Sequence, residues 1–182
     1  YIIFLDNDVL VKEKTFAELM CFMESHPDAG MCGQKLDPEG TKKIRWNMGH
    51  DPNFFRAPIG ALFEWLHKVF PTSHLIKRAS MPFTLNVWDH NRLLSVDWVM
   101  EPCMIVPRTL FESLSGFDER FFMFHEGPDL SRRMRGKGFA TYFNPEIHVD
   151  LREGHTHNSK KRKQWMREST IYYYKKHWLG MK

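Results

Sequence analysis

The sequence predicts an α/β fold, and three observations predict it. The chain opens on a continuous apolar run, Tyr1-Ile2-Ile3-Phe4-Leu5, which reads as a buried interior strand. Helical spacing follows at Phe16, Leu19, Met20 and Met23, and then a second short apolar run, Met31 to Leu36. The same alternation of strand and helix returns after residue 95. A length of 182 residues suits one domain or a little more.

Each element has a local reason. Thr15-Phe16-Ala17-Glu18 has the spacing of a capping box, with Thr15 as N-cap and Glu18 returning the hydrogen bond. His26-Pro27-Asp28-Ala29-Gly30 stops that helix, and Asp37-Pro38-Glu39-Gly40 is a turn by composition. Residues 41–95 form a less regular excursion with four prolines. Within it an amphipathic piece sets Ile59, Leu62, Phe63, Leu66 and Val69 on roughly one face, and the aromatics Trp46, Phe54, Phe55, Trp65 and Trp88 argue against disorder. Val96 to Val99 and Cys103 to Val106 read as strand. Pro107 is placed to open a helix and Gly116 to close it. A further helix is expected from near Pro128 to Gly136 or Gly138, then a strand at Phe139 to Phe143 and a turn at Asn144-Pro145-Glu146. The segment from Ser159 to about Leu179 reads as a basic, aromatic helix. The expected organisation is thus a body over 1–157 and a helix within 158–182.

Composition excludes several classes. With 42% hydrophobic and 14% aromatic residues the chain can bury a core, which excludes intrinsic disorder. No apolar run approaches the ~20 residues of a membrane-spanning helix. Three cysteines without a C-x-x-C pairing argue against a disulfide framework or a structural zinc, and make a reducing cytoplasm the default. The charge is uneven: residues 160–182 hold eight Lys/Arg against Glu168, while the remainder is mildly acidic. A basic tail without a basic stripe across the fold speaks against a nucleic-acid partner. The tail itself has two favoured readings. It is a solvated helix with its aromatics on the body, or a surface for peripheral contact with the anionic inner face of a membrane.

Three places could carry chemistry. Asp6-Asn7-Asp8 directly follows the first strand, where open α/β sheets place their ligands. Its two carboxylates are the hard oxygen ligands that Mg²⁺ or Mn²⁺ takes alongside phosphates, although Asp and Asn are also favoured residues at a strand exit. Glu126 and Asp129 flank a helix start, either as dipole-complementing acids or as a general base. His155 and His157, in a polar loop, are candidate metal ligands.

These pieces resemble family 2 glycosyltransferases of the GT-A fold. The carriers are Phe4 to Val9, His26 to Gly30, and Val96-Asp97-Trp98-Val99 with Cys103 to Arg108. With them go Gly116-Phe117-Asp118-Glu119-Arg120-Phe121-Phe122, Asp129-Leu130-Ser131-Arg132-Arg133 and Asn144-Pro145-Glu146, all close to the rhamnosyltransferase-like branch. The resemblance covers residues 1–40 and 96–157. It implies inverting, metal-dependent transfer of a sugar from a nucleotide-sugar donor to a glycan or lipid-linked acceptor. Asp6 and Asp8 then hold Mg²⁺ or Mn²⁺ and the donor diphosphate, His155 contributes to the metal, Glu126 or Asp129 serves as base, and Trp98 and Glu101 lie on the acceptor side.

The chain also departs from the family. Gly127 stands where relatives carry the Asp taken as base, and Glu101 where they often carry a small residue. Relatives have a nucleotide-binding segment before the Asp-x-Asp strand, so an N-terminally truncated GT-A sheet is expected, with an exposed edge that invites oligomerisation. A non-catalytic remnant, or a glycan- or partner-binding module, is the alternative.

Overall fold

A computed structural model describes residues 1–38, 48–51, 53, 55–88, 91–151 and 159–180. A mixed sheet forms its centre. Strand β1 (Ile2–Leu5) pairs antiparallel with β7 (Cys103–Val106), which pairs antiparallel with β3 (Ala29–Pro38). β3 runs parallel to β8 (Ala140–Leu151), whose far edge carries β5 (Leu94–Val96) and β2 (Val9–Val11), both antiparallel.

Strand β7 shows why the sheet is a core element. All four of its residues are buried, and they divide by the two-residue period of a strand. Cys103 and Ile105 pack into the cluster with Leu19, Phe22 and Met23 of helix α1 (Thr15–Ser25). Met104 and Val106 pack oppositely, with Leu110 of α4 (Arg108–Ser113) and Leu130 and Met134 of α5 (Glu126–Arg135). The result is a sheet with helices on both faces, compatible with a Rossmann-like glycosyltransferase fold.

The excursion forms helices α2 (Arg56–Val69) and α3 (His74–Ser80) and a two-stranded sheet of β4 (Met48–Gly49) and β6 (Trp98–Val99). Asp97, between β5 and β6, fastens it to the body. Its carboxylate accepts from Asp51 N–H at 2.8 Å and from Arg56 at 3.1 Å, and Arg135 of α5 bonds Asp51 in turn. Helix α6 (Ser159–Trp178) then packs on α5 with Tyr173 fully buried, which is the first of the two tail readings. No helix among the described residues is long and apolar enough to cross a membrane.

Several expectations are corrected. The capping box does not form, because Thr15 lies inside the helix and is buried. Its hydroxyl accepts from Lys12 N–H at 3.0 Å, and Lys14 occupies the N-cap position. Residues 96–99 are not one strand but the end of β5 and the whole of β6, in different sheets, with Asp97 as the pivot. The turn at Asn144-Pro145-Glu146 is an irregularity inside β8, where the register with β3 slips between Gln34 and Lys35; Asn144 Oδ1 accepts from Glu146 N–H at 3.0 Å. Helix α3 and strand β2 were not foreseen.

Candidate functional site

The site begins where β1 ends. Asp6 N–H donates to Pro102 O at 2.8 Å, which ties the strand exit to the segment entering β7 and brings Asp6 beside Glu101. Opposite stands the start of α5. Its approach is strained: Phe124 (φ 69°) and His125 (φ 67°) both lie in the left-handed region, an arrangement that concentrates at functional sites. His125 occupies the N-cap position without a side-chain cap, so the first amides of α5 need another acceptor. Glu101 supplies it, Oε1 accepting from Gly127 N–H at 2.8 Å.

Gly127 is required by this contact. A Cβ there would sit 2.3 Å from Glu101 Oε1 and 2.8 Å from its Cδ. With no side chain at residue 127, the carboxylate of Glu101 occupies the space beside the helix start. Neither departure is interpretable alone in the sequence, because 26 residues separate them. In the fold the two positions meet across a helix start.

The acids raise one another's pKa values. Burial is the largest influence on Glu101, and the Glu126 charge adds to it; the Gly127 N–H pulls the other way, and the carboxyl rests at about 7. Burial and then Asp6 raise Glu126, while burial and then Asp8 raise Asp6. Glu126 Oε2 and Asp8 Oδ1 are both buried without a hydrogen-bond partner in the structure. Behind them His125 is held neutral by burial, its pKa lowered to about 4, with Nε2 2.8 Å from Thr170 Oγ1.

Asp129 is placed elsewhere. It is fully buried, 2.8 Å from Arg133 Nε and 2.7 Å from His177 Nε2, with Lys176 alongside. Burial pushes its pKa up, but the hydrogen bonds from His177 and Lys176 and the charges of Arg133 and Lys176 hold it below the ordinary carboxylate value. The Gly-Phe-Asp-Glu-Arg stretch belongs to the same frame. Arg133 donates to Leu114 O and Gly116 O, and Asp118 accepts from Arg120, Tyr172 and Lys176. Phe117 meets Phe4 of β1 at 4.9 Å. The motif braces α5 and α6 behind the acids.

Trp98 lies on the wall of a separate pocket of about 340 Å³ between β4, β6 and α2. Its Nε1 donates to His50 O at 2.8 Å. Asn53, Arg56, Glu64 and Asn86 also line this pocket, with Phe83 as a second aromatic, so its wall combines aromatic and polar groups. The structure thus brings Asp6, Asp8, Glu101 and Glu126 together, sets Trp98 in this pocket and Asp129 in the brace, and His155 lies outside the described residues.

Among the described residues, no group of three His, Cys, Asp or Glu side chains is arranged to hold a metal ion. The acids nevertheless offer hard oxygen donors at the β1 exit. Orphaned carboxylate oxygens on Asp8 and Glu126, with Asp6 raised by Asp8, are what an added positive charge would relieve.

No family model matches the chain. It is 30% identical over 145 residues to the O-antigen biosynthesis protein RfbC of Myxococcus xanthus, which covers 75% of this chain and 10% of that protein. It is 34% identical over 61 residues to the N-acetylglucosaminyl-diphospho-decaprenol L-rhamnosyltransferase of Mycobacterium tuberculosis, 34% of this chain and 20% of the relative. The chain therefore spans a tenth to a fifth of the curated relatives it matches. These likenesses support a glycosyltransferase-like family.

Proposed function

We propose that the chain carries the metal and acceptor side of a GT-A-type inverting glycosyltransferase, which moves a sugar from a nucleotide-sugar donor to a glycan or lipid-linked acceptor. The names of the two relatives support this class, and rhamnose is the sugar that one of them names. The observation that carries the reading is the acid cluster at the β1 exit, closed by the Glu101–Gly127 bond.

Asp6 and Asp8 would hold Mg²⁺ or Mn²⁺ beside the donor diphosphate. When bound, the cation supplies charge neutralisation for the departing nucleoside diphosphate. Glu101 and Glu126 act as a coupled carboxylate pair. An acceptor hydroxyl oxygen attacks the anomeric carbon, the bond from that carbon to the diphosphate oxygen breaks with its electrons, and the hydroxyl proton passes to the pair. Burial and the neighbouring acid raise both carboxyls, Glu101 to about 7, which leaves the pair able to accept a proton near neutral pH. Gly127, which in the sequence favoured a non-catalytic module, is compatible with catalysis once Glu101 supplies the carboxylate.

The test uses the full-length protein and nucleoside diphosphate binding followed by calorimetry with and without Mn²⁺. Binding that requires Mn²⁺ and weakens at least tenfold in Asp8→Ala supports the assignment. Equal binding by Asp8→Ala and the parent overturns it.

A further inference from the structure

Helix α2 is built inside out. Against the body it sets Gly60, whose missing side chain lets the helix approach the Phe83 carbonyl, and Glu64, which accepts from Thr84 at 3.1 Å and Asn86 at 2.7 Å. At 100° per residue, Phe55, Ile59, Leu62, Trp65 and Val69 fall on an arc of about 120° on the other side. That arc faces solvent: Phe55 is 81% exposed, Leu62 53%, Trp65 58% and Val69 49%. The apolar run continues past the helix through Phe70, at 55%, to Leu75 of α3, at 81%. A large apolar stripe exposed beside a polar inward face marks an interaction surface.

Charge indicates what covers it. From Phe55 to Ser80 the only acid is Glu64, which is turned inward and engaged, and Arg56 is paired with Asp97 on the pocket side; the remaining basic residues are Lys68, Lys77 and Arg78, with His67 and His74. A second copy meeting this face about a two-fold axis would set these cations against themselves. An anionic bilayer offers the complement to both features, an apolar layer for the stripe and negative headgroups for the rim.

We infer that the α2–α3 face is a membrane-interface docking surface, with α2 lying in the headgroup plane of an anionic bilayer and its Phe55–Val69 arc directed into the acyl boundary. The occupant is lipid, and the surface acts independently of the basic stretch Lys160–Lys163. The inward side of the same helix forms a wall of the pocket that holds Trp98, so docking sets that pocket at the bilayer surface. The docking itself does not depend on the transfer reaction.

Flotation of the protein with vesicles of phosphatidylcholine alone, or with about one-third phosphatidylglycerol, tests this. The protein should float with the anionic vesicles, and should be released as salt rises. Leu62→Glu with Trp65→Glu, both at solvent-facing positions, should keep the circular dichroism and melting temperature of the parent and lose at least tenfold in vesicle partitioning. Neutralising Lys160, Lys161, Arg162 and Lys163 to Gln should change it less than twofold. The inference is overturned if the double variant floats like the parent, or if the tail variant alone abolishes flotation. It is overturned equally if the parent ignores vesicles and forms a dimer that the double variant dissolves.

Discussion

Replacing Glu101 by Gln separates what this residue does for the reaction from what it does to the fold. The amide keeps a carbonyl oxygen for the Gly127 N–H and removes the titrating group. In the folded chain the carboxyl titrates at about 7, against an ordinary value of 4.5. A raised carboxyl pKa means that the folded state prefers the protonated form. Stability is therefore fully present below about pH 4.5 and is lost as pH rises through about 7. A shift of that size corresponds to about 3 kcal/mol at pH 8 and less than about 1 kcal/mol at pH 5. Glu101→Gln should thus raise the urea midpoint at pH 8 and leave it nearly unchanged at pH 5. In the full-length protein the same variant should lose about 10²- to 10⁴-fold in kcat, some 3–5 kcal/mol of barrier, together with the activity limb centred near pH 7. A variant that is destabilised equally at both pH values would show that burial does not govern this carboxyl. A variant that keeps its rate and its pH profile would refute the base assignment.

Three further outcomes follow from the geometry. Gly127→Ala should push the Glu101 carboxylate aside, break its bond to the α5 amide and destabilise by about 1–3 kcal/mol, read as a lower melting temperature with loss of the pH-7 limb. Asp129→Ala leaves Arg133, Lys176 and His177 around a vacated carboxylate and should cost about 3–5 kcal/mol, with α6 becoming the first segment cut in limited proteolysis. His125, buried and neutral, binds its proton less well folded than unfolded, so stability should fall as pH drops from the ordinary 6.5 to about 4. His125→Asn, which tolerates the left-handed backbone, should flatten that limb in pH-dependent denaturation.

The sequence made the α/β alternation legible because interior strands such as Cys103–Val106 are apolar throughout and α1 repeats its apolar residues at helical spacing. Asp6, Asp8 and Glu126 were visible too, since each stands at a strand exit or a helix start. The part of Glu101 in the cluster was not. It depends on the Asp6–Pro102 bond between two strands distant in sequence, and on a missing Cβ at residue 127. Asp129 misled for a related reason: three of its neighbours in space, Lys176, His177 and Arg133, come from two helices, and only Arg133 is near in sequence. Thr15 failed as a cap because Lys12 N–H claims its hydroxyl. The exposed arc of α2 could be seen as apolar, yet periodicity alone does not say which side faces the body.

The bonds from Asp118 and Asp129 to Tyr172, Lys176 and His177 have a consequence for the order in which the molecule comes together. The acids at the front of α5 are all synthesised before α6. The helix that steadies α5 from behind emerges later, and its contacts span more than forty residues. A nascent chain halted before Ser159 would thus display Asp6, Glu101 and Glu126 with α5 held only by the Arg133 bonds to Leu114 and Gly116. Such long-range closures form slowly compared with the local turns of α5. Competence should then arrive as a late and cooperative step, after the sheet itself has collapsed.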